Sequence, residues 1–179
     1  MKSSVVLPVL PHILIDTATD ADAAGLLEIY RGILQEGQWF ITHPDEFKGT
    51  EETQARVIRD RNAENNGRIF AARYENRLVG SLSIKGGNME RTRHVGMIEV
   101  YVDKSARGLG IGRALLEAGV VWAETNPILR KLALNVFEDN HRAVELYRHF
   151  GFVVEGRLVG EYLEEDGTLR NDLMMARLV

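Results

Sequence analysis

Residues 95–115 read VGMIEVYVDKSARGLGIGRAL, a run in which a strand, a glycine-rich turn and the start of a helix follow one another. Val95 to Val102 is apolar at nearly every position, which marks a strand covered on both faces and therefore central to a sheet. Ile111, Ala114, Leu115, Ala118 and Trp122 then recur at helical spacing, and Asn126-Pro127 stops the helix. Between them lies Arg107-Gly108-Leu109-Gly110-Ile111-Gly112-Arg113. Such a turn exposes backbone N–H groups at a helix N-terminus, where the helix dipole also favours negative charge. Glycines let a phosphate approach the backbone, and Arg107 and Arg113 add cationic donors suited to its oxygens.

Three phosphate-binding patterns compete for this turn. A Walker loop ends in Gly-Lys-Ser/Thr, whereas here the chain reads Gly112-Arg113-Ala114. The dinucleotide fingerprint G-x-G-x-x-G fails because Gly108-Leu109-Gly110 is followed three residues on by Arg113. A pattern of the form R/Q-x-x-G-x-G/A is satisfied directly by Arg107, Gly110 and Gly112.

Outward from this centre, His12 to Asp16 is a short apolar run that predicts a first strand. Thr19 and Asp22 form a capping pattern ahead of Ala23, Leu26, Leu27, Tyr30 and Leu34, which share a helical face. Residues 35–49 are irregular and rich in aromatics, read mainly as ordinary packing and secondarily as a pocket lining. Thr50 with Glu51 and Glu52 opens a second helix running toward Asn65-Asn66-Gly67. Ile69–Tyr74 and Leu78–Ile84 predict a hairpin turned at Glu75-Asn76-Arg77, and Gly86 begins a polar loop to Arg93. Leu132, Leu134 and Val136 alternate as a strand, and two last strands, 152–163 and 168–178, flank Asp166-Gly167. The order is neither a regular βα alternation nor an all-antiparallel set. It predicts an α/β (α+β) domain with one mixed sheet.

The 179 residues suit one domain, 12–179, behind a flexible N-terminus, 1–11, too short and proline-broken for a signal peptide or a spanning helix. Hydrophobic residues at 45% and charged residues at 27% exclude a disordered or fibrous chain. A formal charge of −4 argues against nucleic acid as a partner. With no cysteine there is no disulfide framework, thiolate metal site or cysteine nucleophile, which fits a cytoplasmic protein. The five histidines (12, 43, 94, 141, 149) show no metal spacing, so no metal is expected.

A second motif follows the glycine turn. Asn140 to Phe152 reads N-x-x-A-x-x-L-Y-x-x-x-G-F, with Asn140 as helix cap, Gly151 as its end, and Tyr147 on roughly the same side as Asn140. Ala143 between them keeps that face shallow. A phenol there could protonate a leaving thiolate; equally, Asn140 could be only a cap and Tyr147 only a core aromatic.

Together, in this order, the two motifs resemble the GCN5-related N-acetyltransferases, from about His12 to the last residue. The tail from Glu155-Gly156 to Met175-Ala176-Arg177 resembles bacterial members that acetylate amino acids, ribosomal proteins or polyamines, and Arg91 to Val95 resembles the amino-acid-acetylating ones. The resemblance implies a mostly antiparallel central sheet with splayed middle strands and helices on both faces. It implies acetyl-CoA as cosubstrate, with its pyrophosphate on Arg107, Gly108, Leu109, Gly110, Ile111, Gly112 and Arg113. The pantetheine arm would lie on Val100, Tyr101 and Val102, and Asn140, Ala143 and Tyr147 would complete the site. Tyr147 would be the general acid for the departing sulfur. Glu99, or water, would be the base, because Asn135 at the comparable position of the next strand cannot serve.

An amine acceptor would attack the acetyl carbonyl directly. The expected acceptor is a small molecule, an amino acid or a xenobiotic amine; a polyamine or a protein N-terminus is the alternative. A non-catalytic acetyl-CoA sensor is the alternative to an enzyme, and the retained Tyr147 favours the enzyme. A homodimer and a soluble, membrane-free protein are expected. Glu164-Glu165-Asp166, Arg91 and Arg93 read as solvated turns before they read as substrate contacts.

Overall fold

Glu75 and Asn76 both adopt positive φ, 50° and 66°, and so reverse the chain in two residues between a pair of long strands. In the computed structural model, which describes residues 12–179, these are β2 (Arg68–Tyr74) and β3 (Arg77–Gly86). β1 (Ile13–Thr17) adds to the outside of β2, and β4 (Val95–Val102) to the other side of β3, all antiparallel. The expectation for residues 1–11 lies outside the described residues.

The second part of the sheet comes from β5 (Lys131–Phe137), β6 (Val153–Leu163) and β7 (Leu169–Leu178). The seven strands lie in the order β1-β2-β3-β4-β5-β7-β6, and only β4 and β5 run parallel. A parallel neighbour needs a crossover, and α3 (Ile111–Thr125) supplies it.

Helices cover both faces, as expected. α3 buries Leu115, Leu116, Ala118 and Val120 in a core that takes in Leu82, Ile84 and Ile98 on one face of the sheet and Leu132 and Leu134 of β5. α4 (His141–His149) adds Val144 and Tyr147 to that core. On the opposite face, α1 (Ala23–Leu34) and α2 (Glu51–Ala63) close over Ile69 and Ala71 with Leu26 and Ile58. The capping pattern at Thr19 forms a short 3-10 turn, Asp20–Asp22, ahead of α1, with the Thr19 N–H donating to the Asp22 carboxylate at 2.8 Å.

Candidate active site

β4 and β5 pair only at Val95–Lys131, Gly96–Leu132 and Met97–Ala133, and beyond Met97 they part. β4 runs on to Val102 held by β3, and β5 runs on to Phe137 held by β7. The facing edge of β4 therefore has no strand partner from Ile98 onward, and backbone polar groups in such a position need another partner. A cleft of about 1040 Å³ surrounds this gap.

Alternation along β4 divides its side chains between the two faces. Ile98, Val100 and Val102 turn to the α3 core, whereas Glu99 and Tyr101 stand on the side of α1, where Tyr101 meets Tyr30 edge-on at 5.4 Å between centroids. Tyr147 approaches from the α3 side. The phenol and the carboxylate thus line one cleft from opposite faces of the sheet, a meeting that only a parted sheet allows.

The end of α4 sets the position of Tyr147. Gly151 takes φ 80°, and Phe152, 1% exposed, donates its N–H back to the Tyr147 carbonyl at 3.1 Å, the capping geometry glycine permits. Burial pushes the Tyr147 phenol up to about 12, with the charge of Glu99 adding to it. The phenol therefore keeps its proton throughout the neutral range. Glu99 is open to the water of the cleft but ringed by protein elsewhere, and the lost hydration raises its carboxyl above the ordinary value. Tyr101 and Tyr30 are raised for the same two reasons, burial first and Glu99 second.

At the turn, Gly108 and Gly110 have φ 87° and 85°, a region costly for other residues, and Gly110 caps α3. A Cβ on Gly112 would sit in ordinary contact, 3.6 Å from Leu146 of α4 and 3.8 Å from Val102 at the end of β4. Backbone, not side chain, lines this corner. Arg113 is exposed at its rim. The guanidinium of Arg107, expected to reach toward phosphate, is instead held by Glu36 at 2.6 and 2.8 Å. Asn140 caps α4, its Oδ1 accepting from the Ala143 N–H at 3.2 Å, and also lines the cleft with Ala143.

Several cleft residues were not singled out in the sequence. Asp172 of β7, 1% exposed, accepts from the Asn135 side-chain amide, and burial raises its carboxyl despite that bond. Its signal is a carboxylate inside the apolar strand Asp172-Leu173-Met174-Met175. Trp39, Phe40 and Thr42, from the irregular segment, line the cleft together with Tyr30, Arg61 and Lys85. The secondary, pocket-lining reading of that segment was the better one. Arg170 fastens the segment: its guanidinium lies 4.0 Å over Phe137 and 5.1 Å from the Trp39 ring centre, and donates to the Gln38 carbonyl, Asp139 and Glu164, each at 2.8 Å. Glu164 of the acidic hairpin tip is therefore spent on Arg170. Arg91 and Arg93 stay in the solvated loop, Arg93 paired with Glu90 at 3.3 Å.

Against known proteins, the family model described as "Acetyltransferase (GNAT) family" matches residues 33–152. The chain belongs to the GNAT acetyltransferase family. The structure of a GNAT acetyltransferase from Streptococcus pneumoniae is similar at 28% identity and a TM-score of 0.89, over 93% of this chain and 99% of that one. A GNAT phosphinothricin acetyltransferase from Sinorhizobium meliloti, solved in complex with AcCoA, shares the fold at 21% identity and a TM-score of 0.82, over 94% and 89%. Among curated relatives, a mycothiol acetyltransferase of Geodermatophilus obscurus is 37% identical over 63% of this chain, and an L-amino acid N-acetyltransferase of Escherichia coli is 29% identical over 44%. The chain spans only 37% of the length of the first and 49% of the second. Among the described residues no cluster of three or more His, Cys, Asp or Glu could hold a metal ion, and no helix is long and apolar enough to cross a membrane.

Proposed function

We propose that the chain is an acetyl-CoA-dependent N-acetyltransferase acting on the primary amine of a small molecule. The observation that carries this reading is the parting of β4 from β5 after three residue pairs, with Tyr147 at one wall and a glycine turn at one end. The residues present suit the cosubstrate. An open strand edge at Val100, Tyr101 and Val102 offers amides to a slender polar chain, and the Gly108–Gly112 backbone with Arg113 offers donors to a pyrophosphate. Ile111 and Leu109 belong to the same corner, and Asn140 and Ala143 leave its far wall shallow. The bound cosubstrate would supply an acetyl group activated as a thioester.

The chain's own residues divide the remaining work. Tyr147 holds a proton at its hydroxyl, at a pKa far above neutrality, ready for a sulfur that departs as thiolate. Glu99, with a raised carboxyl, accepts the proton released by the amine, directly or through cleft water. A backbone N–H near Val100 stabilises the oxygen on which charge develops. Trp39, Phe40 and Tyr30 exclude water from the acceptor side and orient the amine. The exposed apolar face of the β6–β7 hairpin, with Val159 74% and Leu163 73% exposed, supports the expected homodimer.

The test is release of CoA thiol from acetyl-CoA against a panel of amines: amino acids, a phosphinothricin-type compound, spermidine and a peptide with a free N-terminus. Turnover with one class, cut tenfold or more by Tyr147→Phe, is the expected result. Tight acetyl-CoA binding with no turnover of any amine would replace the enzyme by a sensor.

A further inference from the structure

The acceptor end of the cleft carries an arrangement of charge that narrows what it admits. β3 and β4 are in register with Ser83 opposite Glu99 and Lys85 opposite Met97. Directly opposed residues of an antiparallel pair share a face, so Ser83, Lys85, Met97 and Glu99 stand on one side of the sheet, and all four line the cleft. Glu99 and Lys85 are diagonal neighbours there, a backbone spacing of roughly 7–8 Å.

Opposite charges so placed are within reach of each other, yet they do not join. Lys85 makes no ion pair among the described residues, and neither does Glu99. Across from them, Arg61 of α2 lines the same end of the cleft. Its Nη1 is held by Glu64 at 2.6 Å, while its buried Nε has no partner. The Nε is shut off from the cleft, so the terminal nitrogens, on a side chain 14% exposed, are what an arriving oxygen can meet. Lys85, Arg61 and Met97 also border a second cavity of about 810 Å³, so the cleft opens sideways at this point. The wall therefore presents a carboxylate, a hydroxyl and a cation in sequence, with a second cation facing them. The other carboxylate of the cleft, Asp172, is already bonded to Asn135.

Resting on the acetyltransferase reading, we propose that Lys85, with Arg61, seats the carboxylate of an acceptor that bears its amine on the adjacent carbon, so that the acceptor class is the α-amino acid. Glu99 faces the amine end and Lys85 the acid end. Polyamines bring a second cation to a cationic wall, and peptide N-termini bring a neutral amide where a carboxylate belongs. Lys85 is a specificity residue here and takes no part in proton transfer.

The experiment compares three acceptors with one side chain: an α-amino acid, its α-amide and its decarboxylated amine. With wild type, kcat/KM for the acid exceeds that for the other two by tenfold or more. Lys85→Met reduces the gap to twofold or less by raising KM for the acid, Lys85→Arg restores most of it, and Lys85→Glu reverses it in favour of the decarboxylated amine. Lys85 is exposed, so these variants are expected to melt with the wild type, which thermal denaturation checks. Wild-type turnover of all three acceptors at similar efficiency, or a preference for the acid that survives Lys85→Met, overturns the assignment and leaves the acetyltransferase reading standing. No turnover of any amine overturns both.

Discussion

Arg107 donates to Glu36 through both terminal nitrogens, at 2.6 and 2.8 Å, and through Nε to the Val102 carbonyl at 3.2 Å. One guanidinium thus ties the segment after α1 to the end of β4 and to the first residue of the glycine turn. Both charges are largely withdrawn from solvent, with side-chain exposures of 29% and 16%. Removing one partner leaves the other buried and unpaired, a loss of about 1–3 kcal/mol. Glu36→Ala is therefore expected to lower Tm by roughly 3–10 °C for a chain of this size. It is also expected to raise KM for acetyl-CoA and for the acceptor together, because the tie borders both. Arg107→Lys should recover little, since an ammonium cannot repeat the two-pronged bond. Differential scanning fluorimetry and initial-rate kinetics check both statements.

Tyr147→Phe removes one oxygen and keeps the ring that packs against Phe152 at 6.0 Å between centroids. A fall in kcat of tenfold or more, with KM for acetyl-CoA changed less than threefold, is expected. Because burial sets the phenol at about 12, wild type should show no alkaline limb from this group below pH 10. A pH–rate profile extended to pH 10 reads that directly.

As the proposed base, Glu99 should govern the acid side. Its carboxyl pKa is raised, so the base form is lost at a higher pH than for an ordinary glutamate, and kcat/KM should fall as pH drops through that raised value. Glu99→Gln should lower the rate and abolish this limb. The same shift acts on stability with a definite sign. A carboxyl whose folded pKa exceeds its unfolded value binds protons more tightly in the native state, so stability falls as pH rises between the two values. Glu99→Gln should therefore melt above wild type at pH 8 and alongside it below pH 4.5. An equal Tm difference at both pH values would contradict the cause assigned to the shift.

Gly110→Ala places a Cβ on a residue with φ 85°, a conformation that costs an L-residue about 1–2 kcal/mol. A Tm lowered by several degrees and a KM for acetyl-CoA raised at least fivefold are expected. KM for the acceptor should move less, because Gly110 caps α3, an element other than the one that carries Trp39 and Phe40. Kinetics with each substrate varied in turn separate the two effects.

Features decided by neighbours along the chain were readable in the sequence. The buried strand Val95–Val102, the glycine turn and the capped helix from Asn140 each rest on local period or backbone angle, and each forms where it was expected. What escaped depends on elements distant in sequence. Glu36 and Arg107 are 71 residues apart, Asn135 and Asp172 are 37 apart, and nothing in the sequence around either partner reports the other. The aromatic segment after α1 has no period, so only its attachment to Arg170 shows that it walls the cleft. Lys85 continues an ordinary strand alternation, and its lack of a partner becomes visible only once β3 lies beside β4.

The short parallel contact between β4 and β5 also bears on how the molecule comes apart. Strands β1 to β4 are joined to one another by long antiparallel ladders, and β5, β7 and β6 likewise, but three residue pairs are all the ladder that joins the two groups. The seam between them is the line along which partial opening sacrifices the fewest backbone bonds, leaving the shared hydrophobic core as the main remaining connection. A molecule seated along that seam stitches the two blocks, so saturation with acetyl-CoA should slow amide exchange in strands on both sides of it, far from any atom it touches. The opening proposed to admit the donor is thus also the joint whose breathing the donor would arrest.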